Sequence, residues 1–319
     1  MLRIRIHNSP RELEQLRPLW KSIDKKGQGT VFQGFEWNLL AAQKFSHRER
    51  PFVISAVSSY GVAIVPAALR YRDNSLRLLG EELFDYRGCL HDGDQEVLRH
   101  ALAALAQAGG PLEVVAVREC DRCVLLEELE LSPFTAAPSV SRADTTPEKF
   151  AANHNRLGRN LRRFQRQGFE LKIYNGEHSD LLRSIYGRKV AHDPKSLFHD
   201  PLRVEFIVQA ARLQPNCCEI FTLESGPQLA AALVTFRDGL VRRFYTCYFC
   251  ANFAKLSPAI TLIHEVTRQS LAAGLDCDYM TGEQGYKLRL ATGSMPLYSL
   301  RATSEQLAAL IETEVRLAG

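Results

Sequence analysis

The sequence predicts an α/β (α+β) protein made of two tandem domains, each a mixed, mainly antiparallel sheet flanked by helices. Three observations carry this. The chain has 319 residues, more than one core of ordinary size needs. Runs rich in Val, Ile and Leu, punctuated by Gly, alternate with capped helical segments. The same order of elements then occurs twice, with no clear residue-level identity between the halves, as expected of a duplicated unit with its boundary near residues 135–150.

In the first half RIRIH (3–7) reads as a short strand, PRELEQLRPLWKSI and FEWNLLAAQKF as helices. PFVISAVSS, GVAIVPAALRYR and SLRLLG read as three antiparallel strands, EVLRHALAALAQAG (96–109) as a helix with a glycine stop, and PLEVVAVRE as another strand. LSPFTAAPSVSRADTTPEK is turn-prone and leads to the second half. There an arginine-rich helix ends at Gly168, FELKIYN is a strand, and HSDLLRSIYGRKVA and DPLRVEFIVQAARLQ are helices. CEIFTLES, QLAAALVTFRDG and LVRRFYTCYF are strands joined by tight Gly turns. SPAITLIHEVTRQSLAAG (257–274) is a helix with Ser as N-cap and Pro at its first position. LDCDYM and PLYSLRAT are strands, and EQLAALIETEVRLAG is a closing helix.

Apolar residues make up 45% and charged residues 24%, with a net charge of +4. This is globular composition, too nearly balanced for a dedicated nucleic-acid binder. No stretch approaches the roughly 20 apolar residues of a membrane span, and MLRIRIHNSPRELEQL has no apolar signal core. A soluble cytoplasmic protein is expected. Eight cysteines are present. Cys120 and Cys123, and Cys247 and Cys250, have the spacing of zinc half-sites. The second pair lies in a strand pattern, where residues three apart point to opposite faces and grip one metal poorly. Cys217, Cys218 and Cys277 complete a set that reads as buried thiols; no metal is expected.

Four stretches carry chemistry. In NRLGRNLRRFQRQG, Arg156, Arg159, Arg163 and Arg166 make one basic helical face, and Leu157, Leu161 and Phe164 an apolar stripe. Such a helix serves a nucleic-acid arm, a clamp on an acidic ligand or a plain solvated face. In CYFCANFAKLSPAITL a strand ends and a helix opens at Ser257-Pro258. Its free N–H groups and dipole suit a phosphate or pyrophosphate, the small Ala259 and Thr261 allow close approach, and Lys255 lies just upstream. In DYMTGEQGYKLRLATG, Tyr286 and Lys287 follow glycines at a strand end, as a proton donor and a cation for developing charge or as a hairpin-like solvated loop. In LLGEELFDYRGCLHDGD, Asp85 and Tyr86 follow a strand, where the carboxylate either accepts a proton from a nucleophile or caps a turn.

Taken together, RLGRNLRR (156–163), Leu256-Ser257-Pro258 after a long strand, the run from Asp278-Tyr279 through Gly282 to Tyr286-Lys287, and LLG…FDYRG resemble the CelD/BcsL-type acetyltransferases. These are a branch of the GNAT (Gcn5-related N-acetyltransferase) superfamily related to the FemABX aminoacyltransferases. The resemblance covers nearly the whole chain and is strongest over residues 150–290. It implies two GNAT-like domains, 1–140 and 141–319, and transfer of an acyl group from acetyl-CoA or another acyl-CoA to an amine or hydroxyl. The acceptor it implies is a small molecule or a glycan precursor of envelope or exopolysaccharide synthesis. The implied pyrophosphate site runs over Lys255, Leu256, Ser257, Pro258, Ala259 and Thr261, with Tyr248 from the preceding strand. Main-chain groups at the end of 244–249 hold the thioester. Tyr286 or Lys287 assists the leaving thiolate, Asp85 faces the acceptor, and His192 is the other candidate base. Arg159, Arg163, Tyr86 and Tyr245 are the implied acceptor contacts. Two departures stand out. ANFAKLSPA replaces the Gly-rich Q/R-x-x-G-x-G/A loop of typical GNATs, which leaves an aminoacyl-tRNA donor open. The coiled-coil insertion of some FemABX proteins is missing. A catalytically inactive GNAT pair acting as a binding module is the reading from another class.

Overall fold

The computed structural model describes residues 1–24, 29–119 and 129–311. Its compact units are residues 1–135 with 296–311, and residues 136–295.

The first unit begins with β1 (Arg3–His7), antiparallel to β2 (Glu49–Val57), which pairs with β3 (Gly61–Arg70). β3 pairs with β4 (Leu76–Leu78) and, at its start, with β5 (Leu90–Gly93). Gly93 is required there: its φ is +88°, and a Cβ would lie 2.2 Å from the Tyr60 carbonyl oxygen. β4 runs parallel to β6 (Leu112–Arg118), and β6 takes residues 297–302 of β13 (Gly293–Ala302) as an antiparallel neighbour. The single helix expected over 10–23 is two, α1 (Pro10–Glu14) and α2 (Arg17–Asp24). Pro18 has no N–H to return to the Glu14 carbonyl, so the ladder breaks between them. α3 (Phe35–Lys44) follows, and α4 (Gln95–Ala103) covers the sheet. Ile54, Ala56, Val65 and Ala67 pack against Leu98, Ala101 and Leu102 of α4 and Leu307 of α11 (Ser304–Ala309). This is why residues 296–311 fold with the first unit, whereas 141–319 reads from sequence as one domain.

The second unit takes over at the end of β7 (Glu130–Val140). That strand lies where a turn-prone linker is expected. Pro138 does not prevent it, because the ladder uses its carbonyl, which accepts from the N–H of Tyr279 at 2.9 Å. α5 (Pro147–Asn153) and the arginine helix α6 (Asn155–Arg166) precede β8 (Glu170–Asn175), α7 (Ser179–His192) and α8 (Pro201–Leu213). β9 (Cys218–Ser225), β10 (Gln228–Asp238) and β11 (Val241–Phe249) form an antiparallel meander. α9 (Pro258–Ala272) then returns the chain to β12 (Asp276–Asp278), which is parallel to β11, and α10 (Gly285–Leu290) follows. The order of this unit's sheet is β8-β9-β10-β11-β12 and the end of β7. Phe221, Leu233 and Phe244 from the sheet meet Leu262, Ile263 and Val266 of α9, with Phe164 of α6 beside them. Each such side chain stabilises the fold by about 1.5–3 kcal/mol when fully buried.

The second unit runs helices, strand, helices, three antiparallel strands, helix, strand; the first follows a like order but inserts a fourth short strand, β5, paired with β3 before α4, which the sequence reading leaves out. Among the described residues, no helix is long and apolar enough to cross a membrane. Cys120 and Cys123 lie outside the described residues. Cys217, Cys218, Cys247, Cys250 and Cys277 are free thiols, and burial pushes Cys218 and Cys277 up to about 12.

One buried group makes stability pH-dependent. His264 of α9 stacks on Phe150 with ring centroids 5.3 Å apart, and neither ring nitrogen has a hydrogen-bond partner among the described residues. Burial pushes its pKa down to about 4. The unfolded chain takes up this proton near pH 6.5, the folded one only near 4. Stability is therefore complete above 6.5 and falls by about 2–3 kcal/mol as pH drops towards 4. Urea unfolding between pH 7 and 4 checks this, and His264→Phe should flatten that part of the profile.

Candidate active site

The site in the second unit is built around an interruption in β11. Thr246 pairs with Val234 and Phe244 with Thr235, so Tyr245 is an extra residue without a partner on β10, a β-bulge. A bulge reverses the alternation of everything beyond it. Arg242 and Phe244 face α9, and beyond the bulge it is Cys247, not Thr246, that packs on that face. Tyr248 thus falls on the side of α7. On its other edge β11 pairs with β12 only through Val241, Arg242 and Arg243. Beyond Arg243 the partner strand has ended while β11 continues to Phe249. Residues 244–249 are left with a sheet edge that β12 does not cover.

The end of that edge leads into the start of α9. A short 3-10 turn, Ala251–Leu256, exposes Lys255 and brings the chain to Ser257. The serine is expected to cap the helix with its hydroxyl. It does not: it adopts a left-handed backbone, φ 47° and ψ 59°, and its side chain makes no capping bond. Pro258 has no N–H, and the helical ladder begins with Thr261 N–H to the Ser257 carbonyl at 2.9 Å. The N–H groups of Ala259 and Ile260 thus precede the ladder at the positive end of a 15-residue helix. The turn is held from behind. The buried Asn160 of α6 donates its amide N–H to the Leu256 carbonyl at 2.9 Å, and the Thr261 hydroxyl donates to the same oxygen at 3.0 Å. Thr261 is fully buried and positions the turn. Asn160 is missed by sequence reasoning, because its neighbours drew attention to charge; its place on the apolar side, beside Leu157, Leu161 and Phe164, is the signal that finds it.

The five arginines of α6, at 156, 159, 162, 163 and 166, are all exposed, and none has a carboxylate partner among the described residues. Arg156 and Arg163 lie one turn before and after Asn160 on the helix. The basic face is thereby set beside the start of α9.

Along β11, His192 at the end of α7 lies over Tyr248 with centroids 6.4 Å apart. Tyr248 is buried, and burial raises its pKa, an effect that the nearby Arg188 opposes. Lys189 donates its ammonium to the Cys247 carbonyl at 3.4 Å. Tyr245 is half-exposed and meets Phe236 edge-on at 5.4 Å. On the other face Tyr286 packs with Cys247 against the unit's core, and burial raises its pKa well above the usual phenol range.

Two expectations about 278–293 change. Tyr286 and Lys287 lie on α10, not in a hairpin-like loop. Lys287 is buried and donates to the carbonyls of Thr281 at 2.8 Å and Met280 at 3.2 Å. Its amine ties the end of β12 to α10. Lys287→Met should therefore cost about 1–3 kcal/mol by orphaning these carbonyls, where a solvated lysine would cost almost nothing. Chemical unfolding checks it. Asp85 and Tyr86 belong to the first unit. Asp85 is half-buried. Tyr86 is fully buried against Phe32, its carbonyl accepting from the Gln33 amide at 2.7 Å, so it has no surface with which to touch an acceptor.

Residues 151–288 match the family model described as acetyltransferase (GNAT) domain. That stretch, most of the second unit, is similar to a GNAT acetyltransferase domain. Solved structures agree on the fold over the whole chain. The C-terminal domain of a protein described as a lysylphosphatidylglycerol synthetase from Agrobacterium fabrum superposes with a TM-score of 0.61 at 12% identity, over 95% of this chain and 97% of that one. FemX gives 0.56 at 11%, over 97% and 100%. A tandem GNAT protein from the clavulanic acid biosynthesis pathway gives 0.50 at 10%, over 95% and 99%. No curated protein gives a significant sequence match. In the second unit the bulged end of β11, beyond its pairing with β12, runs through the Ala251–Leu256 turn directly to the uncapped start of α9. Among the described residues, no group of three or more His, Cys, Asp or Glu side chains is placed to hold a metal.

Proposed function

We propose that the chain is an acyl-CoA-dependent acyltransferase whose donor binds in the GNAT domain, with an amine or hydroxyl of an anionic small molecule or glycan precursor as acceptor. The carrying observation is a difference between corresponding elements of the two units. In the second, β11 runs six residues past its pairing with β12, and the following helix starts without a side-chain cap. In the first, β4 is three residues long, and the following helix α4 is capped by Asp94, whose carboxylate accepts from the Glu96 N–H at 3.0 Å. At these corresponding elements the second unit offers a long strand end unpaired on its β12 edge and an uncapped helix start, whereas the first has a short strand and a helix start already met by a carboxylate.

In this reading the N–H groups of Ala259 and Ile260, with Lys255, take the diphosphate of the donor, and main-chain groups of 244–249 hold its pantetheine arm and thioester. A bound thioester supplies an already activated acyl group, so the protein's work is positioning and charge stabilisation. Tyr286, kept protonated by burial, is the proton source for the departing thiolate. His192, exposed over Tyr248, is the base beside the acceptor path, and Tyr245 is aimed by the bulge towards the same edge. Thermal unfolding with acetyl-CoA, with CoA and without ligand tests the donor. Ligand at a hundred times its Kd adds about 2.7 kcal/mol and raises Tm by several degrees. No shift with millimolar CoA species removes this donor.

Arg159 and Arg163 are assigned to the acceptor's negative charge. Arg159→Gln with Arg163→Gln should raise the acceptor's KM several-fold, leave kcat nearly unchanged and flatten the dependence of KM on salt. The same unpaired arginines favour a second reading, an aminoacyl-tRNA donor of the FemABX kind. Turnover requiring charged tRNA, and lost in the same variant, establishes that reading in place of the first.

A further inference from the structure

The first unit contains a cavity that the acyl-transfer reading does not use. Along β1, Leu2 and Ile6 pack on the unit's core. By alternation Arg3, Arg5 and His7 share the opposite face. The antiparallel register sets Val57 across from Arg3 and Ser55 across from Arg5. These side chains form the floor of a cavity of about 450 Å³, with Leu16 and Leu19 as its apolar wall.

Its two arginines are unspent. Neither Arg3 nor Arg5 has an ion-pair partner among the described residues. Of the acids on α1, Glu12 accepts from the Asn8 N–H at 2.6 Å and lies near enough for its charge to act on His7, and Glu14 pairs with Arg17 at 2.7 Å; neither lines the cavity or pairs with Arg3 or Arg5. His7 is buried at 7% exposure and bonded through Nε2 to the Ser55 hydroxyl at 2.9 Å. Burial lowers its pKa, so at neutral pH it fixes the floor without adding a third cation. Two guanidiniums two residues apart on one strand face stand about 7 Å apart at their roots. Side chains of their length converge easily on one group between them. A carboxylate is satisfied by a single guanidinium fork; a phosphate has oxygens for two.

We propose that this cavity binds a small organic phosphate, its phosphoryl oxygens shared by Arg3 and Arg5 and its organic part laid against Leu16, Leu19 and Val57. The site lies within the first unit and does not depend on the donor assignment in the second.

Titration calorimetry of the full chain with phenyl phosphate, inorganic phosphate and benzoate tests it. Phenyl phosphate should bind saturably, at least fivefold tighter than inorganic phosphate, which lacks the apolar part, and than benzoate, which lacks the second pair of oxygens. Binding should move the His7 ring resonances, assigned by comparison with His7→Gln. It should weaken tenfold or more in the Arg3→Gln, Arg5→Gln double variant, whose changed side chains are exposed and leave the core untouched. Val57→Asp, which brings a carboxylate into the cavity, should weaken it as well. Absence of saturable heat with phenyl phosphate at 10 mM overturns the proposal, as does unchanged affinity in the double variant. In the latter case the arginines only guard an edge strand, which the variant would reveal by self-association.

Discussion

An aspartate at position 257 should weaken the proposed acyl-CoA binding at least tenfold while leaving the second unit folded. Ser257 is half-exposed, its side chain makes no cap, and its left-handed backbone is one that Asp tolerates better than most residues. The carboxylate would sit at the positive end of α9 and compete with the donor's phosphates for the N–H groups of Ala259 and Ile260. It would rebuild at α9 what Asp94 does at α4. A tenfold loss is about 1.4 kcal/mol, within reach of one like charge at close range in a partly desolvated site. Ser257→Gly is the control: it relieves the left-handed strain, should raise stability by about 1 kcal/mol and should keep the affinity. Calorimetric titration of both variants with CoA reads the result. Wild-type affinity in Ser257→Asp would move the donor's phosphates away from α9.

The second large effect is on the fold. Asp278 closes β12 and accepts from Arg243, the last residue of β11 with a β12 partner, and from the N–H of Met280 at 2.7 Å. Arg243 also forks onto Asp238 at 2.6 and 3.0 Å. All of this is almost out of reach of solvent, with the Arg243 side chain 8% and the Asp278 side chain 9% exposed. Asp278→Ala leaves a buried guanidinium half-compensated and an N–H unbonded, and should cost about 3–5 kcal/mol. Asp278→Asn keeps an acceptor for Met280 and should cost roughly half as much. Urea unfolding of both variants measures it. The pair also sets where β11 and β12 part, so a milder loss accompanied by failure to bind CoA would assign Asp278 chiefly to the shape of the split. A loss below 1 kcal/mol with binding intact would make the cluster incidental.

The order of elements was legible in the sequence because it rests on period and punctuation. Val-rich runs between glycines, and helices bounded by Ser-Pro, Asp-Pro and Gly, are local signals that tertiary structure had no reason to override. The details that make the site were not local. Tyr245 bulges because of its register with β10, and nothing in RRFYTCYFC marks one residue as supernumerary. Lys287 looked solvated because a lysine among glycines usually is; two carbonyls from the end of β12 give it a reason to be buried. Asn160 was hidden among arginines, and the end of β7 behind Pro138, whose carbonyl joins the ladder although it has no N–H to give. Ser257-Pro258 marked the right boundary for the wrong reason: the helix starts there, and its serine leaves the terminus bare.

The return of residues 297–302 to the first unit has a consequence for how the protein is made. Until they are translated, β6 lacks its antiparallel neighbour, although every residue of the second unit, 136–295, has already been synthesised. At roughly 5–20 residues per second, those 160 residues take about 8–30 s. The second unit thus has all its sequence first, and can be complete while the unit begun before it still holds an open strand. The nascent chain is most exposed to mispairing not early, when β6 emerges, but through the long interval in which its own last strand is still unwritten.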